Sequence, residues 1–155
     1  MTTSPAIDPQ AVEARTGSSY PEPFRSLVGE RRKRALGDAL GLTNYGVNLV
    51  ELAPGAQSSM RHWHSRQDEF VYVLEGELTL VTDAGEQVLR AGMAAGFAAG
   101  SGDAHHLINR SQATACYLEV GDRGPGDAVI YPDVDLDLPD DATEDFFHKD
   151  GTPYR

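Results

Sequence analysis

The chain is short of cysteine, of long apolar runs and of positive charge, and each shortage removes a class of protein. Cys116 is the single cysteine, so no intrachain disulfide can form, and its place in Ala115-Cys-Tyr-Leu-Glu-Val120 reads as a core thiol. No stretch approaches the ~20 apolar residues of a membrane span. The start Met1-Thr-Thr-Ser-Pro5 has neither the basic opening nor the apolar stretch of a leader, so a cytoplasmic location is expected. Thirteen Lys and Arg against 24 Asp and Glu give a formal net charge of −11, which opposes non-specific binding to nucleic acid or to an anionic membrane. Neither partner is expected. Residues 1–42 carry no helix-turn-helix pattern, no long amphipathic helix follows, and no lysine lies between residues 43 and 122 to serve as a catalytic amine.

What the chain does have is 155 residues, enough for one domain with a real core and too few for two catalytic domains. From Thr43 onward it reads as short strands and turns. Tyr45, Val47 and Leu49 alternate ahead of the turn Ala53-Pro-Gly55; Phe70 to Leu74 precedes Glu75-Gly-Glu77; Leu78 to Val81 precedes Thr82-Asp-Ala-Gly85; Gln87-Val-Leu89 precedes Arg90-Ala-Gly92. Strands at this spacing predict an all-β sandwich or barrel. The ends differ. Residues 1–42, with Pro5, Pro9, Pro21 and Pro23, read as an irregular arm with one short helical turn. Its basic cluster Arg31-Arg-Lys-Arg34 reads as a solvated arm or one meeting the acidic tail. Residues 123–155 form an acidic tail: from Asp127 onward nine acids face only Lys149 and Arg155, which is −7 of the −11. Within it Asp133-Val-Asp-Leu-Asp-Leu138 alternates like an edge strand, and Phe146 to Tyr154 reads as an end that docks back on the barrel.

The chemistry concentrates in Gly55 to Gly76. If Met60 to His64 is extended, His62 and His64 share one face while Arg61 and Trp63 take the other. After the polar turn Ser65-Arg-Gln-Asp68, Glu69 opens a returning strand beside them. Two imidazoles and a carboxylate suit a divalent ion such as Zn, Mn, Fe, Ni or Co. A second stretch, Gly92 to Asn109, offers His105 or His106 as a third imidazole. Gln67, Asp68 and His106 are candidates to hold the outer nitrogens of the ligating rings, and Asn109 is either a partner of the site or a turn residue bonding its own backbone. His148 lies far from both stretches. If Glu69 points inward, Val71 and Val73 follow it, and Phe70, Tyr72 and Leu74 face outward and need cover from the arm or a second subunit.

His62, His64, Glu69 and Gly76, with Gly55 one residue further upstream than usual, resemble the first motif of the cupin superfamily. Gly92, Gly100, His105 and Asn109 resemble its second, with Ala98 in place of a proline and two extra residues before the histidine. The resemblance covers residues 43–122. It implies a double-stranded β-helix, the cupin jelly-roll barrel, flanked by the arm (1–42) and the acidic extension (123–155). It further implies one divalent transition metal ion per chain held by His62, His64, Glu69 and His105, with His106 as the alternative to His105, and a homodimer. Three imidazoles and one carboxylate leave two adjacent positions of an octahedral ion for water or a bidentate ligand. The expected function is a metal-dependent enzyme on a small organic molecule, of dioxygenase, isomerase or epimerase, or lyase type. The alternatives are a binding or sensing module without turnover, and a metal-free structural barrel.

Overall fold

Alternation decides the faces of the central strands, and the computed structural model, which describes residues 4–155, shows them closing into a jelly roll. The reading of the first three residues as part of a leaderless start lies outside the described residues. In chain order the strands are β1 (Arg15–Thr16), β2 (Arg31–Ala35), β3 (Tyr45–Leu52), β4 (Trp63–His64), β5 (Glu69–Glu75), β6 (Glu77–Thr82), β7 (Gly85–Arg90), β8 (Ala94–Phe97), β9 (His106–Ile108), β10 (Ala115–Asp122), β11 (Val129–Ile130) and β12 (Asp137–Leu138). Two short helices, α1 (Phe24–Val28) and α2 (Leu36–Ala39), interrupt the N-terminal region. One sheet runs β1-β2-β3-β10-β5-β8; the facing layer is made of β7-β6-β9 and β12-β11-β4. All of these strands pair antiparallel.

The barrel core lies between the layers. Val50 and Leu52 of β3, Val71 and Val73 of β5, Leu78 and Leu80 of β6, Leu89 of β7, Leu107 of β9 and Tyr117 of β10 pack together, all buried. On β5 the expected alternation holds: Val71 and Val73 are buried, whereas Phe70, Tyr72 and Leu74 are 43%, 38% and 44% exposed. The N-terminal arm does not cover that outer strip. The tight turn from β5 to β6 requires Gly76, with φ of +79°, because a Cβ there would sit 3.0 Å from the Ala115 Cα.

The N-terminal region is more ordered than its composition implies. Arg31–Ala35 is a full strand, paired with β3 from Arg31↔Leu52 to Ala35↔Asn48. The basic cluster is therefore neither a solvated arm nor a contact for the tail. Arg31 donates to the carbonyls of Gly17 and Ser58, Lys33 pairs with Glu119 at 2.8 Å, and Arg34 pairs with Glu51 at 2.7 Å. Glu51 and Glu119 on neighbouring strands offset the charges of Arg32, Lys33 and Arg34, and carbonyl groups hold Arg31, which is why a run of four basic residues is tolerated within a sheet.

A second core joins the two ends of the chain. Tyr20, Phe24 and Val28 pack with Val129, Tyr131, Leu136, Leu138 and Phe146, and Met60 links the cluster to the barrel. The edge strand expected over 133–138 is confined to Asp137–Leu138, and Val129–Ile130 mediates its attachment by pairing with Trp63–His64. Arg61 locks the arrangement from outside, with Nε 2.7 Å and Nη2 2.8 Å from the Asp133 carboxylate, a further ion pair to Asp83, and Nη1 donating to the Ala104 carbonyl at 3.0 Å. Among the described residues no helix is long and apolar enough to cross a membrane.

Candidate metal centre

Two segments more than forty residues apart meet through a set of backbone hydrogen bonds. The His62 N–H donates to the His105 carbonyl at 3.1 Å and the His105 N–H to the His62 carbonyl at 2.9 Å, so the two residues face each other as an antiparallel pair. Behind them Ser58 N–H donates to the Leu107 carbonyl at 2.8 Å. On the other side Gly100, at φ of +70°, donates its N–H to the His64 carbonyl at 2.8 Å. The glycine-rich loop before His105 is thereby closed against the His62-Trp-His64 segment.

The imidazoles converge on one carboxylate. Nε2 of His105 lies 2.7 Å from Glu69 Oε2, Nε2 of His62 lies 3.5 Å from the same oxygen, and Nε2 of His64 lies 2.9 Å from Oε1. Ligand atoms of His62, Glu69 and His105 all lie within 4.8 Å of one another, a group that can hold a metal ion. His64 stands beside it, in contact with the second oxygen of Glu69.

The protonation pattern fits a cation. The Nδ1 of His62 faces the Met60 carbonyl at 2.9 Å and that of His64 faces the Asp127 carboxylate at 2.5 Å. A carbonyl and a carboxylate only accept, so both Nδ1 atoms carry the proton and a neutral ring turns its Nε2 lone pair inward. Lone pairs aimed at a carboxylate repel unless a cation or a proton lies between them. In keeping with this, Glu69 Oε2 is one of two buried side-chain atoms without a hydrogen-bond partner among the described residues, although His105 Nε2 is so close. The other is Nδ1 of His105, whose ring is held instead by stacking on Phe97 at 3.5 Å with planes 1° apart.

Charge at the site follows the same geometry. Burial works against ionising Glu69, but the close imidazoles of His105, His62 and His64 outweigh it and hold the carboxyl well below its usual range. Burial also opposes charge on His64, yet Glu69 and then Asp127 push that imidazole up to about 9. For His105 burial dominates and lowers the value.

The remaining candidates fall elsewhere. His106 turns its Nδ1 to the Ser59 carbonyl at 2.9 Å and does not join the cluster. The Gln67 side chain donates to the Gly124 carbonyl at 2.9 Å. Asp68 is exposed and accepts from the Ala99 N–H at 2.8 Å. Asn109 is fully buried and pins its own turn, donating to the carbonyls of Leu52 and Ala113 and accepting from Ser111. His148 pairs with Asp135 at 2.7 Å in the C-terminal region. The group that holds the His64 ring is Asp127, which the sequence shows only as one of the nine acids of the tail. Its one signal is its place between the turn Gly124-Pro-Gly126 and the apolar run Ala128-Val-Ile-Tyr131.

The cluster opens into a cavity of about 410 Å³, lined by His62, Glu69 and His105 and roofed by Tyr20, Tyr131 and Phe146 from the chain ends. The ring of Tyr131 stands 5.8 Å from that of His62. Burial raises both Tyr20 and Tyr131 above the ordinary phenol value, so both hydroxyls stay protonated at neutral pH.

Comparison with known proteins agrees with this architecture. The family profile described as Cupin domain matches residues 48–121. A solved structure from Silicibacter pomeroyi DSS-3, described as a sugar phosphate isomerase from a cupin superfamily, is 44% identical, with 97% of this chain and 96% of that one covered and a TM-score of 0.90. A structure from Acidithiobacillus ferrooxidans, provisionally described as a sugar phosphate isomerase, is 33% identical over 70% of this chain and 69% of that one, with a TM-score of 0.66. A polyketide cyclase from Streptomyces resistomycificus, 23% identical with 76% and 78% covered and a TM-score of 0.62, shares the fold. No curated protein sequence matches this chain.

Proposed function

Because this chain belongs to the cupin superfamily, we propose that it is a metal-dependent enzyme of the isomerase type acting on a small phosphorylated sugar, with His62, His64, Glu69 and His105 as ligands of one divalent transition metal ion. The observation that carries the reading is the convergence of three imidazole Nε2 atoms on Glu69, whose Oε2 is buried without a hydrogen bond, at the floor of a cavity sized for a small organic molecule. The description of the Silicibacter pomeroyi relative supports the reaction type, given an alignment that spans nearly both chains.

A bound divalent ion supplies Lewis-acid polarisation of a carbonyl and a template for adjacent oxygens. The protein's own groups do the rest. Glu69, held ionised, balances positive charge at the floor. Tyr20 and Tyr131, held protonated above His62, donate hydrogen bonds to substrate oxygens. Ser58, Ser59 and Asn48 add short polar groups suited to a polyhydroxylated ligand. The buried aromatic ends of the chain keep bulk water away.

The test is proton NMR in D2O of aldose and ketose phosphates with protein loaded in turn with Mn, Fe, Co, Ni or Zn. Exchange of the proton next to the carbonyl, with conversion between the two sugars, is the expected result. Saturable binding with no exchange for any metal would replace the enzyme by a binding or sensing module.

The exposed strip Phe70, Tyr72 and Leu74 on β5 supports a homodimer in which a second copy covers it; a monomeric mass by light scattering at micromolar concentration would refute that. The acidic balance supports a protein without nucleic-acid or membrane partners, and a cytoplasmic location is proposed with it.

A further inference from the structure

The three rings are oriented by three different means, and only one of them reaches outside the two motif segments. His62 is held by Met60, two residues away in its own segment. His105 is held by stacking on Phe97 in the same glycine-rich stretch. His64 is held by Asp127, 63 residues further along and fully buried. We propose that Asp127 is the positioning residue of the metal centre, fixing the His64 ring with Nδ1 protonated and Nε2 free to coordinate, and that it does so only when the C-terminal segment is docked. This rests on the metal-dependent reading above.

The two oxygens of Asp127 have separate tasks. Oδ2 accepts from His64 Nδ1 at 2.5 Å. Oδ1 accepts from the Arg66 N–H at 2.7 Å, the Gln67 N–H at 3.2 Å and the Ser65 hydroxyl at 3.3 Å. The first sets the ring; the second holds the turn between the histidines and Glu69. Docking of the segment is the same event, since Ser65 N–H donates to the Ala128 carbonyl at 2.9 Å, Ala128 N–H donates to the Ser65 hydroxyl at 2.8 Å, and Val129 pairs with His64. A carboxylate on the outer nitrogen also makes the ring a stronger ligand.

The division of tasks makes Asp127→Asn informative. The amide keeps an oxygen for the Arg66 and Gln67 N–H groups and presents an NH2 to the imidazole. That NH2 cannot accept a proton from Nδ1, so the ring favours the tautomer with Nε2 protonated, which cannot coordinate. Outer partners of this kind are worth about 10–100-fold in metal affinity.

The experiment is calorimetric titration of the full chain with Co²⁺ in a double-mutant cycle of Asp127→Asn and His64→Ala. Asp127→Asn is expected to weaken Co²⁺ binding about 10–100-fold in the native background and less than about threefold once His64 is alanine. Equal losses in both backgrounds would show a general structural role and overturn the proposal, as would unaltered affinity in the single variant. If the unsubstituted chain takes up no Co²⁺, the metal-dependent reading fails and the proposal with it, an outcome told apart by the behaviour of the native protein alone.

Discussion

The molecule has two cores of opposite construction. The barrel core is aliphatic and regular, built from inward positions of β3, β5, β6, β7, β9 and β10. The terminal core is aromatic and irregular, built where residues 20–28 meet residues 129–146 over Met60. The barrel supplies the three imidazoles and the carboxylate that converge at the cavity floor, while the terminal core supplies the cavity roof and delivers Asp127. The barrel thus determines which residues can bind, and the chain ends determine how the rings are held and what the cavity admits.

Paired core deletions give the largest effects. Leu52→Ala, at the end of β3 away from the histidines, is expected to cost ~2–5 kcal/mol in urea unfolding while leaving Co²⁺ affinity within about twofold, since additivity holds for distant sites. Phe146→Ala is expected to cost about 3 kcal/mol, the low end for a buried phenylalanine, because it lies at the rim of its core, and to weaken Co²⁺ binding as well. Equal effects of the two on metal binding would remove the distinction between the cores.

Protons compete with metal at the junction of the two regions. His64, pushed up to about 9 in the metal-free protein, must lose a proton to coordinate, so metal affinity should rise about tenfold per pH unit between 7 and 9 and then level. The stability of the metal-free protein should move the other way. Because this imidazole's folded value is raised, its contribution is complete below the unfolded value near ~6.5 and is lost as pH rises through about 9. Titrations at stepped pH, with thermal unfolding of the chelated protein, check both signs. A flat affinity profile would mean that His64 is not a ligand.

The smallest effect concerns the external clamp. Arg61 meets Asp133 with two nitrogens at a partly exposed position, so Arg61→Ala should cost about 1 kcal/mol. Limited proteolysis should then cut the C-terminal segment faster while the barrel stays resistant. Unchanged cutting would show that the aromatic cluster alone holds the ends.

The same contrast explains what the sequence discloses. On β5 a period of two separates Val71 and Val73 from Phe70, Tyr72 and Leu74, and the structure keeps that separation. Fixed spacing brings His62, His64 and Glu69 together with His105, and the His62–His105 backbone pair is the physical reason that two distant segments meet. Nothing periodic marks the terminal core, because its side chains come from turns and two-residue strands. The strand Arg31–Ala35 was hidden by its charges, which only the folded neighbours Glu51 and Glu119 explain. Acidity misled in the tail, where Asp127 is buried against His64, Asp133 clamps Arg61, and Asp135 holds His148 and the Lys149 N–H. Gln67, Asp68 and Asn109 are close to the motifs in sequence but satisfy backbone groups of other segments, at Gly124, Ala99 and Leu52.

Three ring nitrogens and one carboxylate are proposed to converge on a single cation. Metal analysis of untagged protein and of its His105→Ala and His106→Ala variants tests this most directly. Close to one transition-metal ion per chain is expected in the native protein and in His106→Ala, and loss of most of it in His105→Ala. Equal retention by both variants, or a native protein free of metal after purification and reloading, would contradict it.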